Sequence, residues 1–242
     1  MSGTIGVLGG MGPLATVDFM RKVIDLTPAR RDQEHLPLIV YSVPQVPGRS
    51  ACILEGAASP LPAMVHGIRT LVQAGAECIA IPCNTAHHWY DELARESRCP
   101  VLHIVDAACA AMERGGVGQG AVGLLATAGT IAAGVYQARL DRHGYDCVVP
   151  GARDMDDLVM GGIELVKAGE LEEARALLET AAAKLGTRGV RAIILGCTEI
   201  PIVFNGVSSS SLPPIVDATQ ALAEACVEWY FGRAGHAAES HG

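Results

Sequence analysis

Two cysteines stand in matching contexts, Cys83 in Ile81-Pro82-Cys83-Asn84-Thr85-Ala86 and Cys197 in Leu195-Gly196-Cys197-Thr198-Glu199. Each follows an apolar run that reads as a buried strand. Residues 74–83 align with residues 188–197 without a gap, so that Gly75/Gly189, Ile79/Ile193 and Cys83/Cys197 all differ by 114 positions. A second pair of segments, Ile5 to Gly12 and Val122 to Gly129, repeats at an offset of 117. The chain therefore reads as two related halves, each presenting one thiol at a strand end, where open α/β sheets bind their ligands. A thiol placed where a strand gives way to a helix has its thiolate stabilised by the helix N-terminus. Two such thiols make a pair that could take and give protons.

The residues after each cysteine are polar, Asn84 and Thr85 in one half and Thr198 and Glu199 in the other, which makes a dry apolar burial awkward. Together with the backbone N–H groups that follow, they suit a bound carboxylate. The loop Gly9-Gly10-Met11-Gly12-Pro13 matches neither Gly-x-Gly-x-x-Gly nor the Walker pattern, so it reads either as a small-ligand loop or as a tight strand-to-helix turn. Its quasi-repeat, Ala126 to Thr130, offers the hydroxyls of Thr127 and Thr130. His87 stands four residues after Cys83, close enough to hydrogen-bond the site. His87 and His88 are adjacent and would point about 100° apart on a helix, so they do not form a metal pair. No Cys-x-x-Cys spacing occurs, and no metal site is expected. The other six cysteines, at 52, 78, 99, 109, 147 and 226, read as reduced, small interior hydrophobes.

Positioning these groups falls to a chain of 242 residues, half of them hydrophobic, with a formal charge of -8. That charge argues against nucleic acid and against an anionic membrane surface as partners, and an anionic ligand would need local cations. No apolar run reaches membrane-spanning length and no basic segment precedes the first strand, so a cytoplasmic location is expected. Short Val/Ile/Leu-rich runs near 4–8, 37–43, 77–81, 121–125, 145–149 and 190–195 alternate with amphipathic stretches near 14–26, 60–74, 86–97, 130–143, 154–185 and 217–231. This is the alternation of an α/β protein. The expected architecture is two pseudo-symmetric doubly wound domains, each a mainly parallel sheet flanked by helices, with the site in the cleft between them. The expected division is 1–104 plus 212–232 for the first domain and 105–211 for the second, with a flexible Ser208–Ser211 run at the return crossing and a disordered tail at 233–242.

These motifs resemble those of the cofactor-independent aspartate/glutamate racemases, and among them the aspartate branch. The resemblance runs nearly end to end and rests on Ile5 to Thr16, Arg31 to His35, Pro82 to His87, Leu124 to Ile131 and Gly196 to Pro201. It implies racemisation of a small acidic amino acid, aspartate foremost, with Cys83 and Cys197 as acid and base on opposite faces of the α-carbon and no cofactor. It further implies that Met11, Asn84, Thr85, Thr127, Thr130, Thr198 and Glu199 surround the substrate, that Arg49 and Lys167 hold the distal carboxylate, and that the protein is a homodimer. Two departures, Ser42 where Asn is common and Gly48 beside Arg49 where Asp is usual, bear on side-chain preference. A broad-specificity racemase, a hydantoin racemase or a maleate isomerase of the same superfamily is an alternative, as is an acidic amino-acid binding protein without turnover.

Overall fold

The computed structural model describes residues 3–204 and 212–239. Strands β1 (Ile5–Gly9), β2 (Leu38–Ser42) and β3 (Cys78–Ala80) form one parallel sheet in the order β2-β1-β3. Strands β4 (Gly120–Leu125), β5 (Tyr145–Val148), β6 (Ile193–Leu195) and β7 (Ile215–Asp217) form a second parallel sheet in the order β5-β4-β6-β7. The central strands are continuous apolar runs because both faces of a parallel sheet are covered. All of β1, β3 and β6 is buried. The two sheets repeat one register: Ile79 bridges Val101 in parallel, just as Ile193, 114 positions later, pairs with Ile215.

Helices α1 (Pro13–Leu26), α2 (Arg49–Glu55), α3 (Leu61–Gln73), α4 (Tyr90–Glu96) and α5 (Ile104–Arg114) accompany the first sheet along the chain. The second half carries α6 (Ala128–Ala132), α7 (Gln137–Arg142), α8 (Ala152–Asp154), α9 (Gly161–Ala168), α10 (Leu171–Gly186) and α11 (Ile200–Phe204). The last helix, α12 (Ala218–Glu239), follows β7 and packs on both α1 and α5. One hydrophobic cluster runs through both halves, joining Val7, Phe19 and Met112 to Val122, Tyr136 and Leu222. Two further clusters belong to one half each, around Met64 and Ile68 in the first and around Leu178 and Leu195 in the second.

Several elements differ from the sequence expectation. The stretch near 154–185 is not one helix: a π-helical turn at Met155–Met160 leads into α9, and Gly169, in the left-handed region at φ 89°, ends α9 before α10 begins. A side chain at such a φ is strained, so glycine makes the break possible. Strand β7 and helices α2 and α5 lie outside the expected elements, and β7 falls just beyond position 212, still paired to the second sheet. Helix α12 continues to Glu239. The Ser208–Ser211 run and residues 240–242 lie outside the described residues. Among the described residues no helix is long and apolar enough to cross a membrane.

Candidate active site

Strands β3 and β6 end three and two residues before their cysteines, and the two thiols emerge on the wall of a single cavity of about 140 Å³. That is small beside the roughly 300–1,000 Å³ of pockets for drug-sized ligands, so it suits a small metabolite. Cys83 and Cys197 are each 5% exposed, neither sealed in the interior nor on open surface. All eight cysteines are free thiols.

The first half contributes Met11 from the β1–α1 loop, Arg49 from the start of α2, and Asn84 and Thr85 from the turn after Cys83. The Gly-rich loop closes on its own helix: the Gly10 N–H donates to Thr16 Oγ1 at 2.8 Å, and the Thr16 hydroxyl donates to the Gly12 carbonyl. Gly10, at φ 87°, lies against the backbone of Val43 and Pro44, where a Cβ would collide. The loop is thus a tight turn whose Gly10 N–H is already satisfied, rather than a phosphate cradle. After Cys83 the backbone enters a five-residue 3₁₀ turn, Thr85–Trp89, before α4, so the helix expected near 86 opens with a single tight turn.

From the second half come Thr127, Lys167, Cys197, Thr198 and Glu199. The Gly169 break sets Lys167 in the last turn of α9, and among the described residues it pairs with no carboxylate. Arg49 spends one guanidinium nitrogen on the Val46 and Pro47 carbonyls, each at 3.1 Å, while its buried Nε has no partner. Asn84, 2% exposed, likewise leaves Nδ2 unpaired. Buried donors without partners are rare and call for an acceptor. Carboxylates are acceptors of the kind that such donors, and a lysine without an ion partner, can take.

Thr130 is the exception among the expected site residues. It does not line the cavity; fully buried, its hydroxyl hydrogen-bonds with Thr85 Oγ1 at 2.7 Å and Thr127 Oγ1 at 2.9 Å. Thr85 and Thr127 are themselves 3.2 Å apart, so three hydroxyls from both halves form one cluster, with Thr130 behind the two that line the wall. Thr127 also caps α6 by accepting from the Thr130 N–H. Ser50 and Ala51 line the cavity without having been singled out in the sequence, and Gly129 sits so close to Ser50 that a Cβ would strike its backbone. The halves meet there with no space to spare.

The cysteines differ electrostatically. Cys197 Sγ donates to Glu199 Oε2 at 3.0 Å, and burial, reinforced by the Glu199 charge, holds its pKa well above the ordinary thiol value, with Lys167 working weakly the other way. Cys197 is a protonated thiol at neutral pH. Behind Cys83, the Ile104 N–H donates to His87 Nε2 at 3.2 Å, which leaves the His87 proton on Nδ1 to donate to the Cys83 carbonyl at 2.9 Å. Burial depresses the His87 pKa to about 4, so the ring is neutral and acts as a strut for the cysteine's peptide. Among the described residues no cluster of three or more His, Cys, Asp or Glu has the arrangement of a metal site.

The sequence profile of the Asp/Glu/Hydantoin racemase family matches residues 8–226. The structure is similar to that of an aspartate racemase from Picrophilus torridus, with a TM-score of 0.82 and 32% identity over 95% of this chain and 94% of that one. A broad-specificity amino-acid racemase, RacX, from Bacillus subtilis (strain 168) is 29% identical over 93% of this chain and 97% of its own length. A glutamate racemase from Pseudomonas aeruginosa is 34% identical over 55% of this chain and 49% of its own length.

Proposed function

Because the chain belongs to the Asp/Glu/Hydantoin racemase family and is an amino-acid racemase by its relatives, we propose that its substrate is an acidic amino acid, aspartate foremost, and that Cys83 and Cys197 carry the two proton transfers. The observation behind this reading is one small cavity that holds a strand-end cysteine from each sheet together with Arg49 and Lys167. Inverting a stereocentre through a planar carbanion needs a base on one face and an acid on the other, and a duplicated fold supplies the two by symmetry. In one direction the Cys83 sulfur takes the α-proton, forming an S–H bond as the C–H bond breaks. Cys197, held as a thiol beside Glu199, then delivers its own proton to the opposite face. The product is the other enantiomer with the two sulfurs' protonation exchanged, and the reverse reaction runs the same steps backwards.

In this reading the substrate's α-carboxylate is bound by Asn84 Nδ2, a donor at the cavity that lacks a partner. Arg49 and Lys167 are the cations left for a distal carboxylate, and the guanidinium fork is the group that grips one in two-point fashion. The resemblance to the aspartate racemase of Picrophilus torridus supports aspartate. The similarity to a broad-specificity racemase favours a second reading, in which neutral side chains are also accepted. A chiral-chromatography screen over aspartate, glutamate, asparagine, serine and lysine decides between them. Rapid enantiomer exchange for aspartate and little for serine or lysine is the expected result, and comparable rates for all five would overturn the acidic preference.

A further inference from the structure

The fully buried phenol of Tyr136, in the segment between α6 and α7, donates to Asn84 Oδ1 at 2.6 Å across the boundary between the halves. Tyr136 is not on the cavity wall, whereas Asn84 is, with its Nδ2 unpaired. We propose that Tyr136 is a positioning residue that fixes which end of the Asn84 amide meets the substrate. The inference rests on the function proposed above and adds a residue to it.

An amide presents either two N–H donors or a carbonyl acceptor, and only the donors can bind a carboxylate. The choice between these orientations is made by the hydrogen-bond network around the amide. Burial raises the Tyr136 hydroxyl pKa well above the ordinary phenol value, so its proton stays in place and must find an acceptor. Among the described residues Asn84 Oδ1 is the acceptor it has. Turning the amide over would face Nδ2 toward the phenol oxygen, leave the hydroxyl proton with no acceptor, and put Oδ1 into the cavity against the substrate's negative charge. Both consequences favour the observed orientation, which needs no water or cation to hold it. The bond also spans the halves, since Asn84 follows β3 while Tyr136 follows β4, so the donor is correctly aimed when the two sheets stand as they do here.

The test is a cycle of Tyr136→Phe, Asn84→Ala and the double variant, each assayed for KM and kcat with aspartate and for thermal stability. Tyr136→Phe is expected to raise KM about tenfold or more, the scale of one hydrogen bond to a charged group, with kcat changed much less. In the Asn84→Ala background the Tyr136 substitution should add nothing further to KM, because it acts through the amide. Effects on KM that multiply in the double variant, or a Tyr136→Phe enzyme with unchanged KM, would overturn the proposal. Asn84→Asp guards against a variant that merely misfolds. The carboxylate still accepts from Tyr136 in the same shape, yet it presents an oxygen where the donor stood, so KM should rise steeply in a variant whose circular dichroism shows the native fold. An unchanged KM in Asn84→Asp would mean the amide oxygen already faces the substrate, and would equally overturn the proposal. Wild-type enzyme that exchanges no α-proton would instead count against the proposed reaction, so the two failures are separable.

Discussion

Cys197 and Glu199 show how one residue sets another's chemistry. The carboxylate accepts from the thiol at 3.0 Å, and its charge adds to the burial that keeps the sulfur protonated. Replacing that charge with a neutral amide removes one of the causes that raise the pKa, so Glu199→Gln should shift the Cys197 titration to lower pH. The measurement is the pH profile of alkylation in a Cys83→Ser background; an unmoved profile would contradict the role given to Glu199. The residues legible in the sequence were those whose signal is local. A cysteine after an apolar run and two polar residues after it mark a strand end without knowledge of the fold. Thr130 lines nothing because its hydroxyl turns toward Thr85 and Thr127, a choice made by a partner 45 positions away. Tyr136 and Ser50 were not legible for the same reason: their partners, Asn84 and Thr127, lie in the other half.

At the scale of the element, the N-terminus of α5 depends on two uncharged imidazoles. His87 Nε2 accepts from the Ile104 N–H, and His103 Nδ1 accepts from the Val105 N–H, satisfying two of the donors a helix start leaves open. Burial holds His87 near 4 and His103 near 2. Both pKa values are depressed below the unfolded value of about 6.5, so the unfolded chain binds protons first and stability falls with falling pH. For His87 the loss begins near pH 6.5 and is complete near pH 4, amounting to about 3 kcal/mol on a fully buried ring. Denaturant unfolding at pH 7 and pH 4.5 should show this drop, and His87→Gln, though less stable at pH 7, should show a smaller one. Equal pH dependence in the two proteins would contradict it. Helix α5 escaped the sequence reading although its buried face, Ile104, Val105, Ala108 and Met112, has helical spacing. Alanines dilute the contrast between faces on which such a pattern depends. Strand β7 has three residues and follows Pro213 and Pro214, too short a run for alternation to register.

Across the whole molecule the duplication reaches further than the cysteine motifs. Helices α5 and α12 start 114 positions apart, at Ile104 and Ala218, and pack against each other. The residues before them, His103 and Asp217, both cap with a side chain, Asp217 Oδ1 accepting from the Thr219 and Gln220 N–H groups. Asp217 also meets Lys22 of α1 at 2.5 Å, and Lys22 meets Asp18 at the same distance, so a largely buried ion cluster, open to solvent at its Asp217 end, ties β7's end to the first half. Removing one partner from such a cluster strands charge in the interior, which makes these three residues a constraint on how the halves sit. The repeat of 114 made the paired halves legible from sequence, whereas the ion cluster was not, because its members are 195 positions apart. What this architecture accomplishes is to bring one thiol from each half to one cavity, and the most direct test is deuterium incorporation at the α-carbon of aspartate in heavy water. Wild-type enzyme should place deuterium in both enantiomers, while Cys83→Ser and Cys197→Ser should each lose racemisation by orders of magnitude, as expected when a proton donor or acceptor is removed. Full racemisation by either single variant would contradict the two-thiol account.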